Sequence, residues 1–187
     1  FVLESLGLDN IKTKFIISAE IQKPDPTEQQ DQTPLKKSHL IPVLNNDHVF
    51  ETFIEGANNQ FAKSAAEAVA ENPGKQSFNP LIIYGGTGLG KTHLLHAIGN
   101  RVLETSPDKR IIIATSEKFT LDFVNGLRKN RTVAFARQYR NADLLLIDDI
   151  QFFKGKEQTQ EQFFHTFNEL YQSGKQIVLT ADRYPGE

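Results

Sequence analysis

The pattern with the clearest chemistry is a glycine-rich run ending in lysine and threonine, GGTGLGKT. It fits GxxxxGK[ST] between a predicted strand and a predicted helix, where backbone N–H groups can surround a phosphate. Lys91 would reach the β- and γ-phosphates of a nucleotide, and the Thr92 hydroxyl would ligate Mg²⁺. The alternative is a strand-to-helix turn with a solvated lysine. The predicted phosphate-binding residues are Gly85, Gly86, Thr87, Gly88, Leu89, Gly90, Lys91 and Thr92.

A second acidic pattern, LLLIDD, ends at Asp148 and Asp149. Asp148 closes a strongly apolar run, where an unpaired carboxylate would be costly. A nucleotide-bound Mg²⁺ would compensate that cost, so Asp148 is the predicted metal-side acid. Asp149 is placed to orient or deprotonate a water. Without the glycine-rich run upstream, the same pair could simply cap the next element.

Asp182, in LTADR, follows another apolar run. In P-loop proteins with an extra strand between the P-loop strand and the acidic strand, a polar group here senses the γ-phosphate. We therefore predict that role for Asp182. The alternative is an aspartate that shapes the turn before Tyr184 and Pro185.

Four short apolar runs predict the strands that would position these groups, and they begin at Leu81, Ile111, Leu144 and Ile177. Continuous runs of this length indicate strands covered on both faces, as in a parallel sheet. Helical patterns separate the strands. Two of them cover residues 61–69 and 91–103. A third is predicted to begin with Ser116 as its cap, and a fourth to begin at a capping box of Thr159 and Gln162. The fold class is therefore α/β, with a right-handed, three-layer arrangement.

Composition excludes several classes of protein. The 187 residues are 39% hydrophobic and 24% charged, with a net charge of −2, which argues against a histone-like nucleic-acid binder but not against a local basic patch. The absence of Cys excludes disulfide scaffolds and thiol catalysis. No apolar run approaches about 20 residues and no signal pattern opens the chain, so we expect a cytoplasmic protein.

The amino-acid composition changes along the chain. Residues 1–21 hold a short amphipathic piece and one predicted strand, and they are expected to be the tail of a small N-terminal α+β domain. Residues 22–38 contain three Pro, four Gln and a single Leu, which predicts a flexible linker extending to about 44. The globular region is predicted over 45–187. Because the sequence starts without Met and stops after a strand pattern, it is expected to be a fragment.

Taken together, GGTGLGKTHLLHAIGN, SEKF, LLLIDDIQFF, GKEQTQEQFFHTFNEL and QIVLTADRYP resemble the bacterial replication initiator family DnaA, whose members are AAA+ ATPases. The resemblance runs from about Asn45 to Glu187. It implies the AAA+ strand order, with the strand at Ile177 inserted between those at Leu81 and Leu144. It also implies that Ile54 and Asn59 contact the adenine of ATP or ADP, although the phenylalanines around them could simply staple the first helix.

A basic insert lies between the second and third predicted strands, over about 116–139. It looks like the two-helix element of replication initiators, and it carries no acid from Phe123 to Ala142. The resemblance implies that Thr120, Lys156 and Thr159 contact single-stranded DNA, although a basic run can also be a solvated helix face. Gln158 departs from the arginine of many family members. The basic residues of this acid-free stretch are Arg128, Lys129, Arg131, Arg137 and Arg140.

The function implied is an ATP-dependent assembly switch with Mg²⁺, which self-associates on origin DNA, engages single strands and hydrolyses ATP to reset. The replicative helicase and regulators would bind through the N-terminal domain. A lid arginine, an arginine finger and a helix-turn-helix domain are expected beyond residue 187. The alternatives are a helicase loader or transposition helper ATPase, a P-loop small-molecule kinase, and an ATP-binding module without turnover. The histidines at 39, 48, 93, 96 and 165 receive no role.

Overall fold

The computed structural model describes residues 44–75 and 78–183. The predicted N-terminal tail at 1–21 and the predicted linker, apart from Leu44, lie outside the described residues. The Leu44 side chain packs over Gly99 of a helix in the globular region. The division into tail, linker and globular domain stays a prediction.

The core of the fold is a parallel sheet that, within the described residues, has four strands. Their spatial order is β1–β4–β3–β2, and each neighbouring pair is parallel. The last strand in sequence therefore lies between β1 and β3, which confirms the predicted insertion. The strands are β1 Leu81–Tyr84, β2 Ile111–Thr115, β3 Leu144–Asp148 and β4 Gln176–Ala181.

Helices connect the strands and cover both sides of the sheet. They are α1 Gln60–Glu71, α2 Lys91–Thr105, α3 Ser116–Arg128, α4 Thr132–Arg140 and α5 Glu157–Gln172. Short 3₁₀ turns occupy Phe50–Thr52 and Ile150–Phe153. Helices α3 and α4 confirm the two-helix character predicted for the insert.

Two predicted helix starts differ from the structure. Thr115, not Ser116, caps α3, and its hydroxyl accepts a hydrogen bond from the Lys118 N–H. The capping box at Thr159 is wrong, because α5 already begins at Glu157 and Thr159 is buried in its first turn. The 3₁₀ turn ends at Phe153, and Gly155, with φ of 77°, lies between it and the Lys156 cap of α5.

Alternate residues of the strands enter different cores, as the pleat of a strand requires. Leu144 and Leu146 face α1 and α2, whereas Leu145 and Ile147 face α3, α4 and α5. We call the first side the aliphatic face, since its helices contribute mainly Ala, Val, Leu and Ile. We call the other side the aromatic face, since its helices and the turn Ile150–Phe153 contribute mainly phenylalanine.

Phe119 lies at the centre of the aromatic face. Its ring is fully buried and makes edge-on contacts with four other rings, at centroid distances of 4.7 to 5.6 Å. This packing joins α3 to α4, to α5 and to the turn after β3. The four partners are Phe135, Tyr139, Phe153 and Phe163.

Because the strands are parallel, their carboxyl ends meet at one edge of the sheet, where open α/β sheets bind ligands. The loop before α2 follows β1, Asp148 ends β3, and Asp182 follows β4. The fold therefore brings all three predicted functional segments to the same edge. In the part of the chain that the structure describes, none of the helices has the length and apolar character needed to cross a membrane.

Candidate nucleotide-binding site

The loop from Gly85 to Gly90 connects β1 directly to α2. Gly88 and Gly90 adopt left-handed backbone conformations, with φ of 80° and 86°. A Cβ at Gly90 would lie 2.7 Å from the Phe53 ring, so a larger residue would be both strained and blocked. Glycine here lets the backbone turn tightly around an anion at the start of the helix.

Lys91 is the first residue of α2, and its side chain folds back over the loop. Its Nζ donates hydrogen bonds to the carbonyl oxygens of Gly85 at 2.8 Å and Gly86 at 3.0 Å. An ammonium group has three donors, so one remains for a phosphate oxygen. The arrangement holds a positive charge beside the amino end of the helix, whose dipole also favours an anion.

Thr92 and Asp148 come from different elements and lie side by side. The Thr92 hydroxyl donates to Asp148 Oδ2 at 2.8 Å, and the Thr180 hydroxyl donates to the other carboxylate oxygen. These donors compensate the burial of Asp148, which is 7% exposed. Hydroxyl and carboxylate oxygens are the ligands that Mg²⁺ prefers, and Mg²⁺ usually completes its shell with water and phosphate oxygens. Thr92 and Asp148 therefore fit the metal position predicted for them.

Asp149 sits in a backbone conformation that is unusual for a residue with a side chain, with φ of 56°. Contacts from two neighbouring elements hold it there. Its N–H donates to the Thr180 hydroxyl of β4 at 2.8 Å, and its carbonyl accepts from the Ser116 hydroxyl of α3 at 2.7 Å. On the side chain, Oδ1 accepts from Gln151 Nε2 at 3.1 Å.

Asp182 follows β4 and lies near the same turn. Its N–H donates to Gln151 Oε1 at 3.3 Å. Its Oδ1 is buried and has no hydrogen-bond partner among the described residues, although Arg183 Nε lies 3.5 Å away. A buried acceptor of this kind is costly unless a further donor approaches it.

A cavity of about 520 Å³ lies over these groups. It brings together predicted residues from the loop, from the turn after β3 and from the end of β4, together with residues that the sequence analysis did not select. Asp148 does not line the cavity itself, but its carboxylate accepts the hydrogen bond of Thr92, which does. The lining residues are His48, Thr87, Gly88, Gly90, Lys91, Thr92, His93, Asp149, Gln151, Phe152 and Asp182.

Ile54 and Asn59, the predicted adenine contacts, do not line this cavity. Ile54 is 88% exposed. Asn59 Oδ1 accepts from the Gly56 N–H at 2.8 Å, and its Nδ2 donates to the Ile54 carbonyl at 3.0 Å. In this structure both residues therefore shape their own loop, and their contact with adenine stays a prediction.

A histidine cluster that the sequence did not predict lies beside the cavity. His48 stacks on His93 at 4.6 Å between centroids and meets His96 edge-on at 5.4 Å. Burial lowers the pKa of His96, and the nearby His48 lowers it further, while the Asp148 carboxylate opposes both. The i, i+3 spacing of His93 and His96 was visible in the sequence, but their meeting with His48 depends on the tertiary fold.

The segment that carries His48 is tied to α2. Asn100 Nδ2 donates to the carbonyl oxygens of Asn45 and His48, both at 2.9 Å, and His93 Nε2 donates to the Val49 carbonyl at 2.8 Å. Phe53 then packs against Gly90. The chain before α1 is thus a fixed wall of the site.

The three residues predicted to contact DNA lie on the aromatic side of the fold. Thr120 is half-buried on α3, and its hydroxyl donates to the Ser116 carbonyl at 2.7 Å. Lys156 precedes α5, whose first turn contains Thr159. Thr159 is 4% exposed as a whole residue, so a contact with DNA would require neighbouring groups to move, and its predicted role stays a prediction.

The basic insert is partly neutralised. Arg140 Nη1 forms an ion pair with Glu169 Oε2 of α5 at 2.8 Å. The other basic side chains of this stretch are exposed on α3, α4 and the turn between them. They are Arg128, Lys129, Arg131 and Arg137.

A glycine-rich loop on a helix start, a threonine beside a buried strand-end aspartate and a central inserted strand together define a P-loop nucleoside triphosphatase fold of the AAA+ type. The family model of the bacterial DnaA ATPase domain matches residues 44–187. The chain belongs to that family.

Solved structures agree with this assignment. Domain III of the Thermotoga maritima replication initiation protein DnaA is 51% identical, with a TM-score of 0.75 over 77% of this chain and 60% of that one. A replication initiator DnaA bound to AMPPCP and single-stranded DNA is 42% identical, with a TM-score of 0.74 over 78% and 44% of the two chains. The DnaC helicase loader, at 16% identity and a TM-score of 0.62 over 74% and 78%, shares the fold alone. The chain thus spans 60% and 44% of the two DnaA structures that it matches.

Proposed function

We propose that this chain is the ATP-binding core of a chromosomal replication initiator, which acts in the cytoplasm as an ATP-dependent switch. The observation that carries the proposal is the side-by-side placement of Thr92 and Asp148 beneath a loop whose Lys91 retains a free donor. Identities of 51% and 42% to DnaA structures, against 16% to the helicase loader, favour the initiator over the loader.

In this proposal, Lys91 and the loop amides bind the phosphates of ATP, while Thr92 and Asp148 hold Mg²⁺. Bound Mg²⁺ would neutralise charge on the β- and γ-phosphates. Asp149 orients the attacking water. Asp182, which lines the same cavity, senses the γ-phosphate. The fixed wall formed by His48 and Phe53 closes one side.

We further propose that hydrolysis by this chain is slow. Phosphoryl transfer depends on positive charge around the departing phosphate, and an arginine finger contributes about 10³- to 10⁵-fold in rate. The finger and the lid arginine are expected outside residues 1–187, from a neighbouring subunit and from a further domain. Slow turnover suits a switch, because the ATP state then lasts long enough for subunits to assemble on origin DNA.

Single-stranded DNA is the proposed partner of the aromatic side. Lys156, the amides at the start of α5 and the exposed arginines of α3 and α4 offer contacts to phosphates without reading bases. The relative solved with single-stranded DNA supports this choice of partner. Self-association and binding of the replicative helicase belong to the whole protein and complete the proposal.

Nucleotide binding is tested by calorimetry with ATP and Mg²⁺. Lys91→Ala should weaken ATP binding at least about 10-fold, since a charge-assisted bond to phosphate is lost. Asp148→Asn should weaken only the Mg²⁺-dependent part. Lys75→Ala is the control, because Lys75 is exposed beside the start of β4, at the opposite edge of the sheet. Unchanged ATP affinity in Lys91→Ala would contradict the assignment of the site.

DNA binding is tested by titrating single-stranded DNA with ATP present across a range of salt concentrations. Lys156→Ala should weaken binding and make the salt dependence shallower by about 0.7 in log–log slope, the value for one lost phosphate contact. Lys75→Ala again serves as the control. Identical slopes for Lys156→Ala and the unsubstituted protein would remove Lys156 from the proposed interface.

A further inference from the structure

Gln151 bridges the two acidic segments of the site. Its Nε2 donates to Asp149 Oδ1 at 3.1 Å, and its Oε1 accepts from the Asp182 N–H at 3.3 Å. One neutral side chain therefore joins the residue that follows β3 to the residue that follows β4. It also lines the cavity that holds both acids and Lys91.

The bridge allows the amide of Gln151 only one orientation. A carboxylate oxygen can only accept a hydrogen bond and a backbone N–H can only donate one. A flipped amide would place oxygen against oxygen and N–H against N–H. The amide is also uncharged, so it holds Asp149 without neutralising the carboxylate, and the contact uses Oδ1 alone.

The turn that carries Gln151 is anchored from below. Ile150 and Phe153, on either side of it, are buried in the aromatic face, with 2% and 0% exposure. Phe153 packs at 4.9 Å against Phe163 of α5. The side chain of Gln151 thus rises from a rigid support, which is the condition for holding another group in a productive geometry.

We propose that Gln151 is a positioning residue for ATP hydrolysis, which keeps the Asp149 carboxylate aligned with the end of β4. The inference rests on the proposed ATPase function. A movement of Asp182 in response to the γ-phosphate would be transmitted through Gln151 to Asp149, which orients the water. Gln151 itself takes no part in bond making or breaking, and ATP binding depends on Lys91 and Thr92 instead.

The first experiment does not depend on ATP hydrolysis. In the NMR spectrum of the nucleotide-free chain, Gln151→Leu should shift the Asp182 amide proton and speed its exchange with solvent, since its acceptor is gone. Gln151→Glu retains an acceptor at this position and should preserve the protection of the Asp182 amide. An Asp182 amide unchanged in Gln151→Leu would overturn the bridge.

The second experiment measures single-turnover hydrolysis of bound ATP by the full-length protein assembled on single-stranded DNA. Gln151→Leu should lower the rate about 10- to 100-fold, the loss expected when a hydrogen bond to a charged group is removed. ATP affinity should stay within about twofold. Gln151→Glu should lower the rate at least as much, because it loses the donor and places a second carboxylate against Asp149.

Epistasis separates positioning from a general loss of structure. In an Asp149→Asn background, Gln151→Leu should lower the rate no further, since the amide acts through that carboxylate. Independent, multiplicative losses would overturn the proposal. Gln172→Leu, at the exposed end of α5, is the matched control and should hydrolyse ATP at the unsubstituted rate. Failure of the unsubstituted protein to bind ATP would instead overturn the proposed function itself.

Discussion

The aliphatic and aromatic faces cover the same strands with different kinds of side chain. Against the aliphatic face, α2 buries Ala97, Gly99 and small branched residues. Such residues let a helix approach the sheet closely, and they fix the helix whose first residues are Lys91 and Thr92. The aromatic face is held by interlocking rings, which support the turn with Asp149 and Gln151. Each face thus positions one half of the site.

Packing and chemistry are divided between the two faces in the same way. The phosphate-binding half rests on a local motif, in which strand, loop and helix follow one another in sequence. The acidic half depends on contacts between distant elements, since Ser116 of α3 and Thr180 of β4 hold the backbone of Asp149. Damage to the aromatic face should therefore disturb hydrolysis more than nucleotide binding.

The largest effect is expected from Phe119→Ala. Removing a fully buried ring with four ring neighbours should lower the free energy of unfolding by about 3–5 kcal/mol. Urea unfolding followed by circular dichroism measures this change. A loss below about 1 kcal/mol would mean that the aromatic face does not depend on this ring.

Ser116→Ala should have the next largest effect. The Ser116 hydroxyl is fully buried and donates to the Asp149 carbonyl, which also accepts from the Phe152 N–H at 3.2 Å. The substitution therefore removes one of two hydrogen bonds to this carbonyl, at about 1 kcal/mol. Ser106→Ala, at the end of α2, is the control and should change stability less. If both variants unfold at the same urea concentration, the contact between α3 and the Asp149 turn contributes nothing measurable.

Ile98→Val tests the aliphatic face with a smaller change. Deleting one methylene from this fully buried residue should lower the free energy of unfolding by about 0.5–1.5 kcal/mol. Combined with Phe119→Ala, the two losses should add within about 0.5 kcal/mol, because the sheet separates the two side chains. Strong non-additivity in the urea data would show that the faces are not independent.

The smallest effect concerns Asp143, which lies outside both faces at the amino edge of the sheet. Burial alone would raise its pKa, but the Lys175 ammonium at 2.6 Å and the Arg110 N–H at 2.9 Å outweigh burial and hold the pKa below its ordinary value. A lowered pKa in the folded state stabilises the protein above the unfolded pKa, near 3.8. That stability is lost as the pH falls through the folded value.

Asp143→Asn should therefore make stability less dependent on pH below about 4. Thermal unfolding of the substituted and unsubstituted proteins across the acidic range measures the difference. Asp108→Asn, in an exposed turn, is the control and should follow the unsubstituted protein. Parallel curves for Asp143→Asn and the unsubstituted protein would contradict the interpretation of this ion pair.

The sequence predicted those features that local patterns determine. The glycine-rich loop, Asp148 at a strand end and the parallel sheet all follow from neighbouring residues, while the strand order came from the family resemblance, and the structure confirms the fold. Gln151 and His48 escaped prediction because their partners lie on other elements, at Asp182 and His93. The capping box at Thr159 failed because the helix begins earlier, at Glu157, and Thr159 is buried within its first turn.

The position of β4 has a consequence for how the chain folds. Among the described strands, β4 is made last yet pairs with both β1 and β3, so the sheet has a gap until residues 176–181 are available. During synthesis, about 90 residues must follow β1 before β4 is available. Until then, the backbone hydrogen-bonding groups of β1 that pair with β4 have no partner strand. Pairings over such sequence separations are slow to form. An emerging chain without its final strand is therefore expected to be a candidate for chaperone binding.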